Sequence, residues 1–242
     1  MMKSPLEQFS IKNIIILKND WIDISISNSN ILMIISISII IIIMKLNKNN
    51  KLVLDKISYI INKMIGIIVG LLMDVLTIKG NKYLPWLFTL FMFILMNNIL
   101  GLIPYSFTTT SQVIITTVLS TTIMIGVTII GLINLKLNFL KLFIPSGIPL
   151  GIIPLIFIIE LISYISRIIS LSVRLSANMI SGHTILSIVS TFGYQLSIIP
   201  QIIILIPIIG LIYILEIGVA IIQAYVFVIL TATYIKDTTE LH

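Results

Sequence analysis

The sequence has no cysteine, and only 10% of its 242 residues carry a formal charge. The first absence excludes disulfides, zinc–thiolate centres and cysteine-bound iron–sulfur clusters. Histidine is almost as scarce. His183 and His242 are the two, and they offer no metal-ligand spacing, so no metal or other cofactor is expected. The scarcity of charge excludes an ordinary water-soluble domain. Hydrophobic residues make up 58% of the chain and the mean hydropathy is +1.17, more apolar surface than a fold of this size can bury.

A bilayer is the solvent that suits such a chain. Spanning segments must then be helices or a closed barrel, because lipid offers no partner to a free backbone group. Barrel strands alternate apolar and polar residues, whereas this chain has continuous apolar runs such as 31–44. The expected fold is therefore an all-α polytopic membrane protein. No secretory signal or arginine-rich transit peptide opens the sequence, and Met1, Met2 and Lys3 are at most a short leader before Ser4. The pI near 9.5 comes from lysines clustered between apolar runs, a pattern that reports topology and argues against a nucleic-acid partner.

Five segments are expected. Residues 1–23 are mixed in character, and 24–44 form the first transmembrane helix. Residues 45–84 are a basic region. Within it, 53–78 reads as an amphipathic helix at the interface, because Lys56, Lys63 and Asp74 interrupt its apolar run. A second short span is the alternative there. Residues 85–141 form an upright transmembrane hairpin of spans 86–103 and 113–135, the first ended by Pro104. In 142–242, a loop at 144–154 rich in proline and glycine precedes two long segments, 155–192 and 201–235. Only Pro207 interrupts the pair. At about 1.5 Å per residue they are roughly 57 and 52 Å long. The hydrocarbon core is about 30 Å thick, so both must tilt strongly. Gly193 and Pro200 mark the turn of this hairpin.

Lysines give the orientation. Lys45 to Lys82 lie on one side, and Lys136 and Lys141 return to it one hairpin later, while the turn between carries none. The lysine side is the cytoplasm-like compartment, although Lys3, Lys12 and Lys18 pull the N-terminus the other way.

Between Lys141 and Lys236 the charged residues are Glu160, Arg167, Arg174 and Glu216. His183, Asn178, Gln195, Gln201 and Gln223 add polar heads. Charges at membrane depth are costly and are functional candidates for that reason. At 100° per residue, Glu160, Ser163, Ser166, Arg167, Ser170, Arg174, Ala177, Asn178 and Ser181 fall within roughly 120° of one face. Small residues let another helix approach closely, and the arginines would meet whatever it carries. His183 follows Arg174 by nine residues and faces the opposite way. Glu216 and Gln223 share a face with Ala220 and Phe227 on the last helix. Blander readings stand beside these: Arg167 paired with Glu160 or reaching the interface, the small-residue stripe as packing within the chain, and His183 as a satisfied core histidine. Arg174 resists them, having no acidic residue within two turns.

Residues 170–179 read SLSVRLSANM. This stretch resembles the signature of subunit a of the rotary F-type ATP synthases, in its mitochondrial and fungal form. The resemblance extends through SPLEQF near the start, FTLFMFILMNNILGLIPYSF, FIPSGIPL and the terminal IIQAYVFVILTATYIKDTTELH. It implies a stator subunit in the mitochondrial inner membrane whose two long tilted helices wrap around a rotor ring. The ring's small subunits each carry a buried carboxylate, and other stator membrane subunits adjoin. Two offset half-channels would deliver protons to those carboxylates and remove them, coupling proton flow to rotation and ATP synthesis. The chain alone would not be catalytic. By the same resemblance Arg174 lies between the half-channels. Asn178, His183, Glu216 and Gln223 are polar groups of the inlet, and Glu160 and Asp237 are acids of the matrix-side outlet. The role of Arg167 is left open.

Two other classes compete. A secondary transporter usually shows internal repeats with broken helices at matching positions, and none is found. A haem-binding subunit needs paired axial histidines on facing helices, and His183 has no such partner in the sequence.

Overall fold

The computed structural model describes residues 7–16, 25–46, 56–76, 81–103, 106–136, 150–193, 203 and 205–239. Several sequence features lie outside the described residues: Lys3, Ser4, Lys18, Lys48, Lys51, Asp55, Pro104, Lys141, the proline- and glycine-bearing loop up to Pro149, Gln195, Pro200, Gln201 and His242.

Six α-helices account for nearly all of the described chain: α1 (Asn28–Leu46), α2 (Lys56–Val75), α3 (Leu84–Leu102), α4 (Val113–Leu135), α5 (Ile153–Gly193) and α6 (Ile206–Thr239). All but α2 are long and apolar enough to cross a membrane. The chain is an all-α polytopic membrane protein. In α2, Lys63 and Asp74 are exposed while Leu72 is buried, the two-faced pattern of an amphipathic helix.

The termini of the long helices follow from proline chemistry. Pro85, Pro154 and Pro207 each occupy the second position of their helix. There the missing N–H has no intrahelical acceptor to lose and the fixed φ is already helical. Pro154 therefore opens α5, where the sequence reading had it closing a loop, and Pro207 stands in the first turn of α6. Helix α5 runs unbroken for 41 residues and α6 for 34. These are about 61 and 51 Å at 1.5 Å per residue, against a hydrocarbon core of about 30 Å, so neither stands upright within it.

The first span also differs from expectation. It starts at Asn28, because 26–27 belong to a small antiparallel strand pair, β1 (Asn13–Ile15) with β2 (Ile26–Ser27). The Asn28 side chain takes the backbone N–H of Ser29 at 3.0 Å and of Lys12 at 3.3 Å, which fastens this pair to the start of α1.

Helix α6 is the centre of the packing. It lies along α3 and α4, while α5 lies along α4 and α6, and α1 and α2 rest against α3. Ala220, Ala224 and Ala232 on α6 are fully buried, and Leu87 and Ile94 on α3 equally so. Small residues of this kind let helix backbones come close in lipid, where apolar burial gives little drive between helices. The helix directions gather Lys45, Lys82 and Lys136 toward one end of the bundle.

Candidate functional site

Helices α5 and α6 run antiparallel, and their shared seam carries the polar residues. Two contacts fix the register. The Asn178 side-chain amide donates to Gln223 Oε1 at 3.0 Å, and His183 Nε2 lies 3.5 Å from Glu216 Oε1. Both pairs are short of water: Gln223 is 5% exposed, and the His183 and Glu216 side chains are 14% and 4% exposed. The histidine–carboxylate separation is slightly beyond a formed N–H···O bond, yet within reach of one small side-chain movement. Gly182 makes the approach possible. A Cβ at that position would stand 2.6 Å from Glu216 Oε1, so any side chain there displaces the carboxylate.

A cavity of about 620 Å³ reaches His183 of this pair. Its wall includes His183, Ser187 and Ser190 of α5, Tyr213 of α6, and Ser10 and Lys12 of the N-terminal strand region. These residues lie at the ends of the helices opposite Lys45, Lys82 and Lys136.

Arg174 lies on the other side of α5. It is exposed, as are Ser166, Ser170, Ala177 and Ser181, whereas Leu171, Ser172, Leu175, Ser176 and Met179 turn inward and are buried. The stripe of small residues and arginine is thus uncovered by the rest of the chain. Asn178 sits at its edge and turns toward Gln223 rather than joining the exposed face. Among the described residues Arg174 has one hydrogen-bond contact, Nη2 to Ser170 Oγ at 3.5 Å, the outer limit of a hydrogen bond. Among the described residues it has no acidic partner. A cation at the bilayer centre costs about 2.5–3.5 kcal/mol on insertion scales. One marginal neutral contact, worth about 1 kcal/mol, does not offset that.

Toward the other end, Arg167 pairs with Glu160 at 3.4 Å, and its guanidinium lies 5.1 Å from the centre of the Tyr234 ring. The pairing of Arg167 with Glu160 that the sequence allowed is present. Asp237 is exposed near the end of α6, and among the described residues no hydrogen bond or ion pair joins it to Glu160.

Several neighbours of the site escape the sequence reading. Asn98 of α3 is fully buried and donates to the carbonyl of Ala220, one turn beyond Glu216, at 3.2 Å. Tyr213 binds the Leu102 carbonyl at 3.2 Å and braces α6 against α3. The pair Asn97–Asn98, two amides inside an apolar span, was the available signal for the first. Nothing in the local sequence marks Gly182, and SPLEQF gives no sign that the Phe9 ring meets His183.

Residues 29–236 match the family described as ATP synthase A chain. The chain is 43% identical over 248 aligned residues to "ATP synthase subunit a" of Trichophyton rubrum, covering 99% of this chain and 97% of that protein. It is 40% identical to the "ATP synthase subunit a" of Emericella nidulans over the same shares of both.

Proposed function

Since the chain belongs to the ATP synthase A chain family, we propose that it is the stator proton-channel subunit of the synthase membrane sector, in the mitochondrial inner membrane with its lysine-rich side toward the matrix. Its partners in this reading are a rotor ring of small membrane subunits, each with a buried carboxylate, other stator membrane subunits, and lipid. The observation that carries the reading is the two-sided build of α5. An uncovered arginine stripe faces out, and a buried histidine–carboxylate pair, reached from a cavity at the lysine-poor end, faces in.

The mechanism follows from the charges. Protons enter through the cavity and pass between His183 and Glu216, which are close enough for direct exchange after a small movement. Asn178 and Gln223 carry the polar path on toward Arg174. A guanidinium keeps its proton, so Arg174 is a fixed positive barrier that a proton does not cross by hopping. A rotor carboxylate arriving opposite it is favoured as the anion and gives up its proton toward the outlet, where Glu160 and Asp237 lie. As the ring turns, the anion leaves the arginine and takes a new proton from the inlet before meeting lipid. The arginine must attract without trapping, because a dry ion pair in low dielectric is held tightly. Its exposed placement with small neighbours suits a loose contact.

Vesicle reconstitution tests this. The purified chain alone should conduct no protons and move no substrate, while vesicles holding the complete membrane sector should conduct. Transport by the chain alone would make it a self-sufficient carrier and end the proposal.

A further inference from the structure

The SPLEQF motif and the strand pair after it have no part in the mechanism above. Its described end, Glu7–Phe9, forms a short 3-10 turn, and β1 follows. This segment is tied to the bundle at several points. Gln112, just before α4, donates from Nε2 to the Phe9 carbonyl at 2.7 Å. Asn28 gives its backbone N–H to the Lys12 carbonyl at 3.1 Å. Gln8, Ser10 and Lys12 complete the wall of the cavity that reaches His183. So placed, the half-buried Phe9 ring stands edge-on to the His183 imidazole, centroids 6.3 Å apart and planes at 77°.

The need for such a contact is visible at His183 itself. A functional histidine is ordinarily oriented by a hydrogen bond from one ring nitrogen to a fixed group. Here His183 Nε2 faces Glu216 at 3.5 Å without a formed hydrogen bond, and among the described residues no hydrogen bond from the other ring nitrogen ties the imidazole to a fixed group. The charged and titratable groups around it are Glu216 on α6, and Lys12 and Tyr213 on the cavity wall. Of these, Glu216 is the group with which His183 exchanges its proton in the reading above, so it is a poor fixed anchor. Edge-to-face aromatic contact is directional, and it restrains a ring without competing for its nitrogens.

We infer that Phe9 is a positioning residue of the inlet: its ring fixes the plane of the His183 imidazole so that Nε2 stays aimed at Glu216 while the cavity still reaches the histidine. Gln112 sets the height of Phe9 by holding its carbonyl. The proposal rests on the inlet role given to His183 above.

The test uses the complete synthase in inner-membrane vesicles, with proton-driven ATP synthesis expressed per assembled complex. Phe9→Leu and Phe9→Met keep an apolar side chain and remove the ring. Each should lower the rate about two- to tenfold, the range an aromatic pair spans. Phe9→Tyr keeps the ring and should retain most of the rate. Native rates in the leucine and methionine variants overturn the inference. Equal loss in all three variants does so too, since it points to packing of the segment rather than to the ring. His183→Gln in parallel separates the two levels. A native rate there removes the inlet role itself, whereas a loss there beside native Phe9→Leu removes only the role of Phe9.

Discussion

Arg174 and His183 share one helix and stand half a turn apart in azimuth, yet their surroundings are opposite. His183 is supplied from within the chain: Glu216 is 3.5 Å away, Gly182 clears the space, and a cavity arrives from one end. Arg174 is supplied with almost nothing, one serine at 3.5 Å and an open stripe of small residues. The histidine side is built from this subunit's own residues. In the proposed function the arginine side is half of an interface, and its other half is an acidic group able to come close. A single helix can hold two such sites because an α-helix turns its faces at 100° per residue, so nine residues reverse direction while advancing only about 13 Å.

The largest effect is expected where that contrast is steepest. Arg174→Ala should abolish proton-driven ATP synthesis in reconstituted vesicles and open a passive leak between the half-channels. Arg174→Lys should fail as well, because an ammonium sheds its proton more readily and binds as a point charge. Substantial coupled synthesis with alanine at 174 would end the account of the outer face.

On the inner face, Glu216→Gln keeps the shape and removes the titrating proton. Proton flux should fall by at least about tenfold, within the usual worth of a proton-transfer group, with assembly unchanged on native gels. Flux near the native level would mean that the buried pair is structural.

Gly182→Ala sharpens the comparison by moving the carboxylate without changing any charge. The added methyl meets the flexible end of Glu216, so the complex should assemble normally. Displacement of a reacting group by about 1 Å can cost up to about 100-fold. Flux should therefore drop between the native and Glu216→Gln values. An unchanged rate would show that the His183–Glu216 distance is unimportant.

The smallest effect is expected at Arg167→Gln. Its partner Glu160 is partly exposed, and exposed pairs are worth about 0–1 kcal/mol. Thermal stability of the assembled sector should shift slightly and synthesis should persist. Loss as severe as at Arg174 would bring Arg167 into the proton path.

Much of this was legible along the chain. Continuous apolar runs need no tertiary information, so the helices could be placed, and α4 begins and ends where its apolar run does. The stripe from Ser163 to Ser181 was legible because azimuth on a helix is a property of numbering alone. Pro154 was misread, since a proline breaks a helix or begins one depending on which side the helix lies. The strand pair near the N-terminus was missed because strands of three and two residues are too short to show an alternating pattern.

What the sequence by itself determined is the solvent, the helix lengths and the isolation of Arg174: each follows from hydropathy, rise per residue and charge spacing. Only the tertiary structure decided which polar residues meet. Asn178 with Gln223, His183 with Glu216, and Asn98 with Ala220 join residues 45, 33 and 122 positions apart. Such pairings depend on the register between packed helices. That register is set by where small residues such as Gly182 and Ala220 let two backbones approach, and a helix read alone carries no record of it.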